Sequence, residues 1–187
     1  MYIKKIYGTL YKSKYDFFEP DSVLSKNWYE WKTIVDWRTC EKCFFMNGRI
    51  ISKNSQIEEL EHLNCRCTLV RAGAIRAGNA TYDGKNGADY WLKHYGKLPD
   101  YYVSRENYSD AGWKNGKSPI KWFPGKMMYG GKYSNNELKL PVMLGRQWYE
   151  ADINYYVGKR NQHKIYFSNG GLIFVSYNHG NTFYEII

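Results

Sequence analysis

Two residues in the C-terminal third of the chain have the side chains of an acid–base pair. Glu150 lies in the strand-like stretch QWYEADIN, and His179 follows a later strand-like stretch in SYNHGNTF. A carboxylate can take a proton from a hydroxyl nucleophile, and an imidazole can protonate a leaving oxygen. Lys159, Arg160 and Lys164 follow Glu150 closely, and fixed cations of this kind stabilise a phosphorane. The set suits metal-independent phosphodiester transfer to an internal hydroxyl, although a solvated or ion-paired glutamate and a structural histidine remain open alternatives.

The cysteines form a second candidate site. Cys40 and Cys43 have the Cys-x2-Cys spacing, and after 21 further residues come Cys65 and Cys67, with His62 three positions before Cys65. A structural zinc site made of four cysteines, or of three cysteines and His62, fits this spacing. Two disulfides outside the cell and four plain thiols are the alternatives.

Composition limits the partners of the chain. Its 187 residues are enough for one domain or two small ones, and 27 Lys and Arg against 18 Asp and Glu give a net charge of +9. This charge suits nucleic acid or an anionic membrane surface, and it also fits a plain basic protein. No apolar run is long enough to span a bilayer, and MYIKKIYGTLYKSKYDFF lacks the apolar segment of a signal peptide. We therefore expect no membrane insertion and, if the protein leaves its cell, a route without a signal peptide.

The pattern of elements predicts an α+β fold. GADYWLKHYGKLP has its aromatic residues at helical spacing and ends at Gly96, and a second short helix fits Ser104 to Ala111 with Ser104 as the N-cap. Strands follow in QWYEADIN, HKIYFS and LIFVSY, the last two joined by a two-residue turn at Asn169-Gly170. Helices followed by antiparallel strands are typical of α+β domains.

The remaining segments give the domain organisation. Residues 1–35 are interpreted as partly helical, and the Gly-rich residues 71–87 as a linker with a flexible tip. We place a boundary near Asn79, so that residues 1–79 form a small Cys-rich module with its linker and residues 80–187 form the α+β domain.

Period-two alternation places Glu150 and Asp152 on one polar face of their strand.

Four separated blocks of the sequence resemble a known family. KLPDYYVSRENYSDAGW, PGKMMYGGKYSNNELKLP, GRQWYEADINYYVGKRN and HGNTF resemble, in order and spacing, the barnase-type guanyl-preferring microbial ribonucleases over residues 80–187. The resemblance implies helices followed by a twisted antiparallel sheet, with single-stranded RNA bound across the sheet. It also implies endoribonuclease cleavage 3′ of guanosine through a 2′,3′-cyclic phosphate, with no cofactor for catalysis.

The resemblance also assigns roles to the reactive residues. Glu150 corresponds to the general base for the ribose 2′-hydroxyl, and His179 to the general acid for the departing 5′-oxygen. Arg160 corresponds to the arginine that clamps the phosphate. Lys164 stands where a second arginine is usual, and Arg105 stands where a lysine is usual.

A further block of the resemblance corresponds to the guanine-reading loop. Its residues are Tyr133, Ser134, Asn135, Asn136 and Glu137. Glu137 is suited to accept from N1 and N2 of guanine. Asn136 replaces a customary arginine, and Gly180 replaces a common tyrosine after the catalytic histidine. These departures affect substrate contacts and leave the acid–base pair intact.

The cysteine segment has a resemblance of its own. Over about residues 30–70, DWRTCEKCFFMNGRI to HLNCRCTL is similar to the signature of phage minor head, or head-morphogenesis, proteins. Such a module before a nuclease resembles a bacterial polymorphic toxin, which implies an acidic barstar-like immunity protein and a toxin that is cytoplasmic in its producer. A prophage-derived structural protein whose nuclease-like domain only binds RNA or a capsid partner is the alternative, and a plain scavenging ribonuclease is a third.

Overall fold

The computed structural model describes residues 21–52, 62, 64–155 and 160–187. These residues form three α-helices, two 3₁₀ turns (Gly84–Asn86 and Pro119–Lys121) and nine strands. The helices are α1 (Glu41–Met46), α2 (Ala88–Tyr95) and α3 (Arg105–Asp110). The strands are β1 (Val23–Lys32), β2 (Ile50–Ser52), β3 (Thr68–Ile75), β4 (Tyr102–Ser104), β5 (Met127–Tyr133), β6 (Trp148–Asp152), β7 (Lys164–Ser168), β8 (Ile173–Ser176) and β9 (Tyr184–Ile186).

All nine strands belong to one sheet, in the order β2-β1-β3-β9-β8-β7-β6-β5-β4. Neighbouring strands run antiparallel except for two parallel pairs, β3 with β9 and β4 with β5. The α+β prediction, with a large antiparallel-rich sheet, is confirmed. None of the described helices has the length and apolar character needed to cross a membrane.

The two helices predicted before the strands are present. Helix α2 ends at Gly96, whose φ of 68° allows its N–H to donate to the carbonyl of Leu92 at 3.1 Å. Helix α3 begins after Ser104, whose hydroxyl accepts from the N–H of Asn107 at 3.1 Å. Local capping chemistry thus sets the helix ends as the sequence indicates.

The hairpin between β7 and β8 differs from the prediction in one respect. The N–H of Ser168 donates to the carbonyl of Leu172, and the N–H of Gly171 donates back to the carbonyl of Ser168. The connection therefore has three residues, 169–171, instead of the predicted two. Gly171 has a φ of 79°, and a three-residue hairpin loop needs such a left-handed residue at its end.

The prediction of partial helix for residues 1–35 is wrong for its described part, because residues 23–32 form β1. This strand lies between β2 and β3 and hydrogen-bonds to both. Trp31 and Ser25 are buried on it. Tertiary pairing overrides the irregular local pattern here. Residues 1–20 of the prediction lie outside the described residues.

The linker prediction for residues 71–87 is also wrong over its first part. Residues 71–75 belong to β3, and Ala72, Ala74 and Ile75 are buried. Gly73 is required by packing, because a Cβ there would lie 2.5 Å from the ring of Tyr184 on β9. Small residues thus serve a close strand contact, where the sequence suggests flexibility. The boundary between residues 1–79 and 80–187 stays a prediction.

The sheet separates two apolar clusters. On one side Ala151, Ile165 and Val175 pack with Leu92 of α2. On the other side Trp148 packs with a set of buried residues from several strands and loops: Ile50, Ala72, Leu140, Tyr166, Phe174 and Phe183. The alternation of β6 places Glu150 and Asp152 on the Trp148 side, so the second cluster supports the candidate site.

Candidate active site

Glu150 is fixed in the middle of the sheet. It lies on β6 between Gly131 of β5 and Tyr166 of β7. Its Oε2 is 3.0 Å from Nζ of Lys164. Gly130 leaves room for the glutamate, because a Cβ at that position would lie 2.9 Å from both Cγ and Oε1 of Glu150. The side chain keeps 19% of its surface exposed, so the carboxylate is both positioned and reachable.

Asp152 organises the cations beside Glu150. Its side chain is 2% exposed, and it accepts from both Nε and Nη2 of Arg160, the latter at 2.8 Å. Nζ of Lys164 lies 3.4 Å from Oδ1 of the same carboxylate, the oxygen that also accepts from Nη2 of Arg160. The cluster thus contains two carboxylates and two cations in alternation. Asp152 thus holds Arg160 and Lys164 beside Glu150.

Trp113 places a third cation, Arg105, near Arg160. The guanidinium carbon of Arg160 lies 5.9 Å from the centre of the Trp113 ring, and that of Arg105 lies at the same distance. Arg105 is the first residue of α3 and also donates to Asn115 at 3.0 Å. Cation–π contacts to one indole therefore gather two arginines that are far apart in sequence.

His179 stands exposed at the top of the loop between β8 and β9. It has a φ of 59°, which is uncommon for a residue with a side chain, and its N–H donates to the carbonyl of Gln162 at 3.0 Å. The side chain of Asn178 closes the loop by accepting from the N–H of Asn181 and of Thr182. The position of the His179 side chain is therefore set mainly by the backbone of the loop and less by packing of the ring.

Tyr166 lies between Glu150 and the histidine loop. It is in register with Glu150 across β6 and β7, and its hydroxyl is 3.4 Å from the point where a Cβ of Gly180 would lie. Burial raises the pKa of Tyr166 above its usual range, and the charge of Glu150 adds to the effect. Tyr166 thus presents a neutral hydroxyl between the two predicted reactive residues.

The predicted guanine-reading loop is held by its own side chains. The amide of Asn135 donates to the carbonyl of Leu140 at 2.9 Å and accepts from its N–H at 3.0 Å. Asn135 is buried and has a φ of 48°, so its side chain shapes the loop. Glu137 is 71% exposed, and Ser134 and Asn136 are exposed beside it. The carboxylate of Glu137 is therefore exposed to solvent, and its Oε2 is paired with Lys139.

Two further residues tie this loop to the rest of the site. The ring of Tyr133 packs on that of Tyr166, with centres 4.8 Å apart. Nζ of Lys139 lies 2.7 Å from Glu137 and donates to the carbonyl of Gly180 at 3.4 Å. Lys139 thus connects the guanine-reading loop with the histidine loop.

The cysteine cluster is assembled around Cys43. The Sγ atoms of Cys43 and Cys40 lie 2.9 and 3.2 Å from Nε2 of His62, and Sγ of Cys43 lies 3.7 Å from that of Cys65. Cys43 belongs to both groups of possible metal donors, one with Cys40 and His62 and one with Cys65 and Cys67. All four cysteines are free. The five predicted donors therefore come together and could hold a metal ion.

The structure gathers Glu150, Arg160, Lys164 and Arg105, and it places the His179 loop next to them through Tyr166. Asp152, Trp113 and Lys139 were not predicted as parts of the site. Asp152 had a signal, because it shares the polar face of Glu150, whereas the sequence carries no sign that Trp113 or Lys139 reaches its distant partners. The catalytic and base-binding roles stay predictions.

The chain is similar to known proteins over part of its length. No model of a known protein family matches the chain. The chain is 40% identical to a ribonuclease of Heyndrickxia coagulans over 107 residues, which cover 57% of this chain and 95% of that protein. Ribonucleases of Bacillus intermedius and Bacillus pumilus are also 40% identical over 107 residues, which cover 64% of each. The chain thus spans just under two thirds of these two relatives.

The cluster around Asp152 generates a prediction about stability. Asp152→Asn should lower the free energy of unfolding by about 3 kcal/mol, because it leaves Arg160 and Lys164 without their buried partner. Urea unfolding followed by circular dichroism measures this loss.

Asp36 offers a matched control for that variant. It also pairs with an arginine through two hydrogen bonds, to Arg66 at 2.8 and 2.6 Å, but this pair lies at the surface. Asp36→Asn should cost far less, because exposed ion pairs contribute little in water. Equal losses in the two variants would contradict a structural role for the buried cluster.

Proposed function

Because the chain belongs to the same ribonuclease family as the Heyndrickxia coagulans protein, we propose that it is a guanyl-preferring endoribonuclease acting without a metal ion. The observation that carries the proposal is Glu150 itself. Its carboxylate is fixed by Lys164 and by the glycine backbone of β5, beside cations held by Asp152, on an open face of the sheet. This combination provides a base and positive charge for a phosphodiester.

In the proposed first step, Glu150 takes the proton of the ribose 2′-hydroxyl of the guanosine. The 2′-oxygen attacks the adjacent phosphorus, and the bond from phosphorus to the 5′-oxygen of the next nucleotide breaks. His179 gives its proton to that oxygen, so the products are a 2′,3′-cyclic phosphate and a free 5′-hydroxyl. Water then opens the cyclic phosphate more slowly, with the two residues in exchanged roles.

The cations supply the electrostatic part of the mechanism. Negative charge accumulates on the non-bridging oxygens in the transition state, and donors fixed in advance stabilise it most. Arg160 and Lys164 are held by Asp152, and Arg105 is held near Arg160 by Trp113. These three residues are proposed to bind the phosphate that Glu150 and His179 act on.

Guanine preference is assigned to Glu137. An exposed carboxylate can accept two hydrogen bonds from N1 and N2 of guanine, and it meets acceptors on the corresponding edges of adenine and uracil. The neighbouring backbone N–H groups, shaped by the Asn135 side chain, are suited to O6. Tyr133 supplies a half-buried ring at the start of this loop.

The acid–base assignment predicts the behaviour of two variants. Glu150→Ala and His179→Ala should each reduce RNA cleavage by roughly 10²-fold or more, as expected on removing a general base or acid. Initial rates on a fluorescent oligonucleotide measure the loss, and circular dichroism should show an unchanged fold. The wild type should remain active in EDTA. Near-normal cleavage by His179→Ala would overturn its assignment.

The specificity assignment predicts a difference between substrates. Glu137→Ala should reduce cleavage of GpA far more than cleavage of ApA, because it removes an acceptor that only guanine can satisfy. Asn136→Ala, next to it and also exposed, is the matched control and should leave the ratio of the two rates closer to that of the wild type. If Glu137→Ala reduces the cleavage rates of GpA and ApA equally, the assignment is wrong.

The proposal includes a structural zinc ion in the cysteine cluster. Tetrahedral zinc with bonds of about 2.3 Å to sulfur needs ligand sulfurs nearly 4 Å apart. The 3.7 Å between Sγ of Cys43 and Cys65 fits this requirement, and both sulfur and imidazole donors suit zinc. The ligands would be Cys40, Cys43, Cys65 and either Cys67 or His62.

The shared position of Cys43 makes its variant decisive. Cys43→Ser should remove the metal, because both donor groups contain this residue, whereas either Cys67→Ser or His62→Ala should retain it. Elemental analysis of protein purified without added metal gives the content per chain. A metal-free wild type without titratable thiols would instead indicate two disulfides.

A toxin role with an acidic immunity protein completes the proposal. A metal-independent ribonuclease would degrade the RNA of the cell that makes it, so the producer, where the protein is cytoplasmic before delivery, needs an inhibitor. Residues 80–187 carry 14 Lys and Arg against 9 Asp and Glu, and acidic side chains suit a site lined by Arg105, Arg160 and Lys164. If cells that produce the active protein grow without any acidic partner protein, this part of the proposal is contradicted.

A further inference from the structure

A cleft of about 340 Å³ lies beside the guanine-reading loop and is not part of the site described above. One wall comes from β1, β2 and the turn before β2, and the other comes from residues 138–146. Its volume lies within the range of small-molecule pockets, which begins at about 300 Å³. The cleft is therefore formed jointly by the cysteine-bearing segment (residues 1–79) and the ribonuclease-like segment (residues 80–187).

Two arginines give the cleft an unbalanced charge. Arg49 lines one wall and Arg146 the other, and no acidic side chain lines the cleft among the described residues. The Nε atom of each arginine is buried without a hydrogen-bond partner in the described part of the chain. Burial lowers the pKa of both guanidinium groups. A buried donor without a partner is costly, so a nearby anion would stabilise both guanidinium groups, even though Nη1 of Arg146 already donates to the carbonyl of Pro141 at 3.0 Å.

The rest of the lining is apolar. Trp28 and Ile51 lie on the wall of Arg49, and Val142 and Met143 lie on that of Arg146. Val142 and Met143 are 68% and 58% exposed, so they offer apolar surface beside the charged group. A ligand with an anionic group and a flat apolar group fits both features of the lining.

The position of the cleft indicates which ligand this is. Leu138, which directly follows Glu137, lines it, and the N–H of Ile50 donates to the carbonyl of Lys139 at 2.7 Å. An RNA strand with its guanine at Glu137 would therefore have a neighbouring nucleotide within reach. A nucleotide combines a phosphate with a base that can pack on apolar and aromatic side chains.

We propose that this cleft is a subsite for a further nucleotide of the RNA substrate, beyond the two that flank the cleaved bond, with its phosphate on Arg49 and Arg146 and its base against the apolar wall. The subsite rests on the proposed ribonuclease function and extends it to substrate length. It makes the cysteine-bearing segment part of the substrate-binding surface. Short substrates do not reach it, and longer ones do.

The experiment compares substrates of different length on the full chain. GpA is compared with hexanucleotides that contain one guanosine and are extended on either its 5′ or its 3′ side. The wild type should show a lower KM for one of the extended substrates. Arg49→Ala should raise this KM by roughly tenfold, the loss expected for one charge-assisted contact, and leave kcat and the cleavage of GpA unchanged.

Salt dependence separates a phosphate contact from a packing effect. Removing one phosphate contact should lower the slope of log KM against log salt by about 0.7 for a single strand. Arg49→Lys should keep most of that slope, because it keeps the charge. Arg76→Ala, which removes an exposed guanidinium that does not line the cleft, should leave the preference for the long substrate intact.

The outcomes distinguish the subsite from the proposed function. The subsite alone is overturned if the wild type cleaves GpA but its KM does not depend on substrate length. It is also overturned if the wild type cleaves GpA and Arg49→Ala leaves the KM of the long substrate unchanged. If the wild type cleaves no RNA, the proposed function is wrong. The subsite is then tested by fluorescence anisotropy with the same hexanucleotides carrying 2′-deoxyguanosine, and equal affinities of wild type and Arg49→Ala would overturn it.

Discussion

The site depends on the ionised carboxylate of Asp152, which is nearly removed from water. Such a charge is tolerated in a protein interior only when oppositely charged groups surround it. Asp152 therefore requires Arg160 and Lys164 in fixed positions, and Lys164 in turn reaches Glu150. One buried charge thus determines where its two cationic partners lie. The cost of burying Asp152 is offset by the same contacts that hold Arg160 and Lys164 beside Glu150.

The second constraint is the contact of the cysteine-bearing segment with the rest of the sheet. Ile50 is 2% exposed and packs in the cluster that contains Trp148 and Tyr166, on the Glu150 side of β6. Lys139, which leaves the guanine-reading loop, accepts from the N–H of the same Ile50. The support of the candidate site therefore comes partly from residues outside the ribonuclease-like segment. A metal ion at Cys43 would stabilise the helix that precedes this contact.

Local signals in the sequence predicted the features that depend on local chemistry. Ser104 and Gly96 marked helix ends because capping involves residues within one turn. The alternation of β6 placed Glu150 and Asp152 on one face because the period of a strand is fixed. The same local approach failed for residues 71–75, where small side chains suggested a linker. The side chain at position 73 must be absent because the ring of Tyr184 packs against the backbone there, and this ring lies close only after the chain has folded. The partnership of Trp113 with two arginines could not be predicted for the same reason.

The parallel pairing of β3 with β9 has a consequence for the kinetics of folding. It joins Gly73 to Tyr184, which are far apart in sequence, and residues 80–183 lie in the loop between them. Closing so long a loop is entropically expensive and is rewarded only when most of the sheet is already in place. We therefore expect this pairing to form late on the folding pathway. Substitutions in it should mainly accelerate unfolding and leave the folding rate nearly constant, which makes the seam between the two segments a determinant of the lifetime of the native state.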